Sequence, residues 1–283
     1  MGILLNAFNL TPAAAVEYLR KRKLRVSENW YDLWKEEHTR AFTVAKMLRM
    51  DLLQTVRGLI DAAVNGELAP DASGEQIKRA ISFQEFQNRL IPELKKKGWW
   101  GIEEIIDSET GEITERRLGS VHRLKTIYET NINQSYHAGR YRGQMEAIDD
   151  LPYMQYKLGP AMQHTEQCAR LQDKIFRADD PVWDVIYPRN HWGCHAYVVS
   201  LTERQVGRMS GDIIEEANIV SRTETVGTGD ASHPVNVRGV RWGSGDDQIY
   251  WCGAGWDYNP GKTSFTSDLN SYDNDIAALW GEQ

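Results

Sequence analysis

The sequence HTEQCARLQDKIFRADDPVWDVIYPRNHWGCHAY, which begins at His164, holds the side chains best suited to chemistry. It contains two of the three cysteines and three of the seven histidines of the chain. His164-x3-Cys168 and His191-x2-Cys194 supply two imidazoles and two thiols, the donor set of a structural tetrahedral zinc. His195 is a competing ligand, so zinc is the candidate cofactor. The alternative is that both cysteines pack as small apolar groups and the histidines only form hydrogen bonds.

Three acidic residues in the same stretch suggest a second type of chemistry. Asp179, Asp180 and Asp184, close in sequence to histidines, fit a general acid–base pair or a metal-dependent hydrolase. A cysteine beside a histidine is also a typical nucleophile. However, Asp-Asp-Pro is a common turn sequence, and the chain contains no Gly-rich phosphate loop and no H-E-x-x-H motif. The sequence therefore predicts that the protein is not an enzyme, with a metal-dependent hydrolase or nuclease as the alternative.

Turn residues and large aromatic rings surround these ligands and predict a compact loop structure. Proline and glycine next to tyrosine and tryptophan interrupt any regular element. We expect Asp180 and Trp183 to hold the loop in place. The residues predicted to have a structural role in this stretch are Asp179, Asp180, Pro181, Trp183, Pro188, Trp192 and Gly193.

The composition is that of a globular protein whose C-terminal half is acidic. The 283 residues are 41% hydrophobic and 26% charged, and no apolar run is long enough to span a membrane. The start, MGILLNAFNL, lacks the features of a signal peptide, and three cysteines cannot form a full disulfide framework, so we expect a reducing cytoplasm. Residues 1–125 hold 20 basic and 18 acidic residues, whereas residues 126–283 hold 13 and 22. This excess of acidic residues excludes a protein that coats nucleic acid without sequence preference. The basic runs at 20–23 and 95–97 are interpreted as solvated helix ends.

The N-terminal part, residues 1–98, is predicted to be a helical arm or bundle. A first helix begins at Pro12, and helical spacing of apolar residues predicts one long helix from Ser27 to about Val64. Tryptophan is a frequent interface anchor, so Trp30 and Trp34 on this helix are the candidate interface residues. A further helix, capped by a Ser-x-x-Glu capping box, ends at a glycine after three lysines.

The rest of the chain is predicted to be mixed, which makes the fold class α+β. Residues 99–119 form a β-hairpin, and 120–210 form a core that starts with a long helix capped by Ser120 and continues with three short strands. The amide-rich band of that helix is interpreted as a solvated face, with packing on another polar element as the alternative. Residues 211–283 form an extended tail that wraps back without a core of its own and ends in a short helix over 268–280.

Three segments of the sequence resemble the head-morphogenesis, or minor head protein, family of phage Mu and related tailed phages. These are residues 171–183, residues 187–194 and the run Gly255-Trp256-Asp-Tyr-Asn-Pro260; residues 130–140 are similar to the preceding helix of that family. The resemblance covers about residues 120–262. The family usually has Cys-Arg-Cys after Trp-Gly, whereas this chain has Cys-His-Ala, so one thiol is absent and a histidine is the alternative ligand. A histidine often stands at the position of Cys168 in the family.

The resemblance implies a minor head protein that acts during procapsid assembly and DNA packaging or delivery. The implied partners are the portal protein and the major capsid or scaffolding protein, with double-stranded DNA as a further candidate, in an oligomeric assembly and without a membrane. The implied location is the virion, in the head interior or portal region, and the host cytoplasm during assembly. The alternatives are the hydrolase described above and a DNA-binding head adaptor that uses the basic runs.

Overall fold

The computed structural model describes residues 12–71, 73–106, 113–160, 164–209 and 213–264. Its helices are α1 (Pro12–Lys21), α2 (Glu37–Arg40), α3 (Met50–Asn65), α4 (Phe83–Lys96), α5 (Val121–Glu146), α6 (Glu166–Leu171), α7 (Trp183–Ile186), α8 (Glu203–Val206) and α9 (Pro260–Ser264). Its strands are β1 (Lys23–Leu24), β2 (Ala41–Phe42), β3 (Glu67–Pro70), β4 (Gln76–Arg79), β5 (Ile102–Ile106), β6 (Ile113–Arg117), β7 (Tyr153–Lys157), β8 (Ile175–Arg177), β9 (Tyr197–Leu201), β10 (Asn218–Val226), β11 (His233–Arg241) and β12 (Ile249–Trp251). The predicted α+β class is therefore confirmed.

The sheets are small and are built mainly from antiparallel neighbours. β3 pairs with β4 and β5 with β6 as hairpins, while β1 and β2 form a short parallel pair. The two larger sheets have the strand orders β8–β7–β9 and β10–β11–β12. The predicted hairpin at 99–119 and the three predicted strands of the core are thus present, and the hairpin turn lies outside the described residues.

Helix α5 connects the two main hydrophobic cores. It has 26 residues, which gives it a length of about 39 Å at 1.5 Å per residue. Ser120 caps its first turn by accepting a hydrogen bond from the backbone N–H of Arg123 at 3.2 Å, as predicted. Leu124 of this helix packs in a core with α1, α3 and α4, whereas Tyr141 packs in a core with β7, α7 and β11. The helix therefore fixes the Cys/His segment (residues 164–197) relative to the N-terminal half.

The predicted single helix from Ser27 to Val64 is wrong. The chain forms a loop, then α2 and β2, and it becomes a longer helix only at α3. Lys35 and Lys46 have φ angles of 48° and 64°, a left-handed conformation that a right-handed helix does not accommodate. The Lys35 ammonium lies 2.8 Å from the buried carboxylate of Asp257. An ion pair between residues that are far apart in the sequence therefore decides the backbone conformation here, and the helical spacing of apolar residues does not.

Helix α4 follows its local sequence closely. The backbone N–H of Glu85 donates to the Ser82 hydroxyl at 3.2 Å, and the Glu85 carboxylate accepts from the Ser82 N–H at 2.8 Å. Both bonds of the capping box are therefore present. Gly98 follows the helix with a φ of 73°, a conformation that glycine adopts at little cost. The predicted start and end of this helix are confirmed.

The amide-rich band of α5 is buried, so its interpretation as a solvated face is wrong. Asn131 accepts a hydrogen bond from Arg22 at 2.9 Å, and the amide of Gln134 donates to the Tyr258 hydroxyl at 3.0 Å. Gln144 accepts from a buried tyrosine hydroxyl at 2.6 Å and donates to the carbonyl of Val198 at 3.1 Å. Buried amides need such partners. The band therefore bonds α5 to Arg22 directly after α1, to β9 and to Tyr258.

His137, in the same band, makes the stability of the fold sensitive to acid. Burial, with the nearby cations Arg140 and Arg189, holds the pKa of His137 well below 6.5. Below about pH 6.5 the unfolded chain binds a proton that the folded chain does not, so stability decreases as the pH falls, by up to about 1.4 kcal/mol per pH unit. We expect H137F to reduce this slope in urea unfolding between pH 7.5 and pH 5. H122Q, at an exposed position of α5, is the control; an unchanged slope in H137F would contradict the assignment.

The C-terminal part contains more regular structure than the sequence predicts. β10 and β11 pair over nine residues each, and β12 extends the sheet. Val240 and Tyr250 from this sheet, with Cys252 directly after β12, are buried in the second core. The described strands therefore share that core with β7 and α7. The final helix predicted over 268–280 lies outside the described residues. Among the described helices, none is both long and apolar enough to cross a membrane.

Candidate functional site

The five predicted metal ligands line one small cavity of about 220 Å³ in the Cys/His segment. They are His164, Cys168, His191, Cys194 and His195. Thr165 caps α6 by accepting a hydrogen bond from the N–H of Cys168 at 3.1 Å, which places that thiol at the start of the helix. The two cysteines are buried, His191 is half-buried, and the other two histidines are exposed at the rim. The fold therefore brings together ligands that are distant in sequence.

Cys168 and His191 are in direct contact inside the cavity. The Sγ atom of Cys168 lies 2.8 Å from Nε2 of His191, and Nδ1 of the same ring lies 2.8 Å from the carbonyl oxygen of Trp192. Because a carbonyl only accepts, Nδ1 carries a proton and Nε2 is the nitrogen directed at the sulfur. A backbone bond of this type fixes the ring and leaves Nε2 available as a ligand.

Cys194 completes a cluster of three interacting groups. Its hydrogen bond with Cys168, followed by that with His191, holds the pKa of the Cys194 thiol well below its usual value. The bond to Cys194, with burial, raises the pKa of Cys168, and the Cys194 sulfur also raises the pKa of His191. A lowered thiol pKa favours the thiolate, which is both the metal-binding and the nucleophilic form of cysteine.

A buried asparagine holds the loop that carries His191. The Tyr156 hydroxyl of β7 donates to the side-chain oxygen of Asn190 at 2.9 Å, and the Asn190 amide lies 3.3 Å from the carbonyl of Val185. On the other side, Gly159 passes so close to this loop that a Cβ atom there would lie 2.0 Å from the carbonyl oxygen of His195. Asn190 and Gly159 were not predicted as site residues, since neither is a ligand type and their partners lie far along the chain.

The three acidic residues of the segment have partners outside the cavity. Asp179 forms a salt bridge with Arg177 at 3.0 Å, and Asp184 forms one with Lys262 at 2.7 Å. Asp180 accepts from the N–H at position 182 at 2.9 Å and begins the turn that leads into α7; burial raises its pKa. None of the three is among the residues described as lining the cavity. Each carboxylate thus has a structural contact in place of the convergent arrangement that the hydrolase alternative needs.

The segment Gly255–Pro260 lies on the Cys/His segment. The ring of Trp256 meets that of Trp192 at a centroid distance of 4.8 Å with an interplanar angle of 82°. The side-chain amide of Asn259 donates to the carbonyl of Trp183 at 3.0 Å. Gly255 has a φ of 78°, and a Cβ atom there would approach the ring of Trp34 at 3.3 Å.

Asp257 in this segment is a buried charge that the sequence did not single out. Its carboxylate is fully buried, and one oxygen accepts from Lys35 at 2.8 Å and from the side chain of Arg238 at 3.1 Å. The backbone N–H of Arg238 also donates to that oxygen at 3.0 Å. One carboxylate therefore connects the C-terminal segment to β11 and to the loop before α2.

An aromatic groove of about 600 Å³ lies beside these contacts. We use this name for the surface formed by Trp30, Trp34, Trp192 and Trp256 together with the neighbouring face of α5. Trp30 meets Trp34 at a centroid distance of 6.1 Å and Trp192 at 6.4 Å. Trp192 is 50% exposed. The two predicted interface tryptophans thus stand in a loop of the groove, and not on the long helix that the sequence predicted.

Comparison with known proteins shows which proteins this chain is similar to. The family model described as "Phage Mu protein F like protein" matches residues 74–199, which include the whole Cys/His segment. The chain is 34% identical over 264 residues to the putative capsid assembly protein F of Escherichia phage Mu, covering 93% of this chain. The region that holds the Cys/His segment therefore matches the phage Mu F-like family. The chain is also 34% identical, over 253 residues and 87% of its length, to the Mu-like prophage FluMu F protein of Haemophilus influenzae.

The Mu F-like chain spans a little over half the length of these relatives, 57% of the Mu protein and 55% of the Haemophilus protein. No solved structure matches it. The family-model match begins at residue 74, whereas the similarity to the Mu protein covers nearly all of this chain. The resemblance found in the motifs of the Cys/His segment is therefore confirmed at the level of the family.

Proposed function

We propose that this Mu F-like chain is a minor head protein that takes part in assembly of a phage head. The observation that carries the proposal is the similarity over 93% of the chain to a protein named as a capsid assembly protein. The proposed location is the virion, in the head interior or portal region, after assembly in the host cytoplasm. The proposed partners are the portal protein and the capsid shell or scaffolding protein, with a role in DNA packaging or delivery.

The aromatic groove is the surface that we propose for these contacts. Tryptophan and tyrosine are enriched at protein interfaces, where a few of them supply most of the binding energy. Trp30 and Trp34 are half-buried in the groove, and Trp192 is half-exposed beside them. The groove also holds the side chain of Lys46, which supports a partner surface with carbonyl or carboxylate groups.

Complementation of a phage or prophage that lacks the gene tests this proposal. We expect the deletion to produce misassembled or non-infectious heads and the wild-type gene to restore infectivity. W30A/W34A should restore it at least tenfold less well, because interface tryptophans typically contribute 2 kcal/mol or more, which is more than about a tenfold change in affinity.

W251A is the matched control for these variants. Trp251 is a half-buried tryptophan on β12 that packs on Arg222 at 4.6 Å, outside the groove. Circular dichroism and thermal unfolding should show that all variants remain folded. Infectious particles of normal yield from the deletion strain would refute the proposed function. Normal complementation by folded W30A/W34A would refute only the groove as the contact surface, and would leave the proposed function standing.

Two competing functions are tested separately. A metal-dependent nuclease should cut DNA and lose this activity in H191A, whereas the proposal expects no turnover in either protein. A DNA adaptor using the basic runs should bind duplex DNA with an affinity that falls steeply with salt. Arg20 already pairs with Asp61 at 2.7 Å, and Lys97 pairs with Asp51 at 3.0 Å, which leaves fewer charges for DNA and favours the assembly role.

A further inference from the structure

We propose that Cys168, His191 and Cys194 bind a zinc ion that ties helix α6 to the loop before β9. The three side chains come from two separate pieces of chain and meet in the cavity of about 220 Å³. Two thiols and one imidazole form a soft donor set that favours zinc over hard cations such as magnesium or calcium. The site is independent of the proposed function, because it needs no virion partner.

The orientation of His191 supports a ligand role. Its Nδ1–H donates to the carbonyl of Trp192 at 2.8 Å, and Nε2 faces the Cys168 sulfur. Histidine ligands of zinc commonly have this arrangement, in which a backbone carbonyl fixes one nitrogen and the other binds the metal. Nε2 of His191 is thus directed at the Cys168 sulfur, in the orientation that a zinc ligand needs.

The present spacing is that of a hydrogen-bonded cluster, and zinc binding requires a small change. Within the described residues, no group of three or more His, Cys, Asp or Glu side chains has a geometry that could hold a metal ion as it stands. Tetrahedral zinc, with bonds of about 2.3 Å to sulfur and about 2.0 Å to nitrogen, sets these atoms roughly 3.5 Å apart. The 2.8 Å between Cys168 Sγ and His191 Nε2 therefore widens by about 0.7 Å on binding, which side-chain rotation into the adjoining cavity allows.

The fourth ligand comes from the rim of the cavity. His164 and His195 are exposed there and face the same space, so either imidazole can approach the metal by rotating its side chain. A fourth protein ligand makes a closed structural site, whereas a water in that position is typical of catalytic zinc. Alanine substitution of each histidine separately identifies the one that binds.

The test measures zinc and cobalt binding by the full chain, purified without chelator. We expect about one zinc per chain by elemental analysis, a lower melting temperature after chelation and a thiolate-to-cobalt charge-transfer band when Co²⁺ replaces zinc. C168S and C194S should each lose most of the metal and weaken the cobalt band. Because H164A and H195A change exposed residues, they should stay folded, and one of them should lower the affinity for zinc.

C252S is the matched control. Cys252 is equally buried, but its sulfur contacts the carbonyl of Val185 at 3.3 Å and it does not line the described cavity. C252S should therefore keep its zinc and its cobalt band. Well under one zinc per chain with no cobalt band overturns the proposal. So does zinc retained in both C168S and C194S, or a thiol count showing that these two cysteines form a disulfide in the native protein.

Discussion

W183A should lower the free energy of unfolding by about 3–5 kcal/mol, the range found when large buried aromatic residues are cut to alanine. Trp183 is 1% exposed. Its ring packs edge-to-face on Phe176 at a centroid distance of 5.6 Å and lies 6.2 Å from Tyr187. Its indole N–H donates to the carbonyl of Arg177 at 2.9 Å. The substitution therefore leaves a cavity in the core and removes this hydrogen bond, and denaturant unfolding measures the loss.

W192A is the control for this prediction. Trp192 lies nine positions further along the same segment, but half of its surface is exposed, so its truncation should cost clearly less than that of Trp183. Since a domain is stable by only about 5–15 kcal/mol, W183A should also show a much lower melting temperature. Equal losses in the two variants would mean that Trp183 does not form the centre of this core.

D257A should destabilise the protein by about 3–5 kcal/mol, the usual result when one partner of a buried ion pair is removed. The carboxylate of Asp257 is fully buried, while Lys35 and Arg238 remain partly shielded, with side-chain exposures of 14% and 29%. Without Asp257 these two positive charges face each other across the gap. We expect the loss in urea unfolding together with easier proteolysis of the loop around Lys35.

D257N separates the charge of this residue from its shape. One oxygen of Asp257 accepts all the hydrogen bonds, and the other has no partner among the described residues. In D257N the side-chain NH2 group can take the place of the second oxygen, and the remaining oxygen still accepts the hydrogen bonds. D257N should therefore cost less than D257A. E36A is a further control, because Glu36 is a more exposed partner of Arg238 at 3.6 Å, and exposed pairs contribute at most about 1 kcal/mol. A loss in E36A as large as that in D257A would contradict the central role of the buried carboxylate.

Local sequence was a sufficient guide wherever the structure depends on near neighbours. Ser82 and Ser120 mark the starts of α4 and α5 because their hydroxyls accept from N–H groups three residues away. The β5–β6 hairpin and the strands of the core follow alternation and turn residues in the same way. The family was also readable from sequence, since the motifs of the Cys/His segment are contiguous.

The remaining features depend on contacts between distant parts of the chain. Helical spacing around Trp30 and Trp34 predicted a helix. Instead, Lys35 forms an ion pair with Asp257 and has a positive φ angle, so the chain turns at this residue. The amide band of α5 looked solvated because its partners, such as Tyr258 and Arg22, cannot be identified from local periodicity.

The sequence by itself determined the residue types of the Cys/His segment, the caps and turns around it and the similarity to the Mu F-like family. Only the tertiary structure decided that the cavity gathers both cysteines with His191, and that Asp179 and Asp184 form salt bridges outside the cavity. The physical reason is that caps and turns are determined by near neighbours, whereas burial and long-range ion pairs depend on the packing of the whole chain.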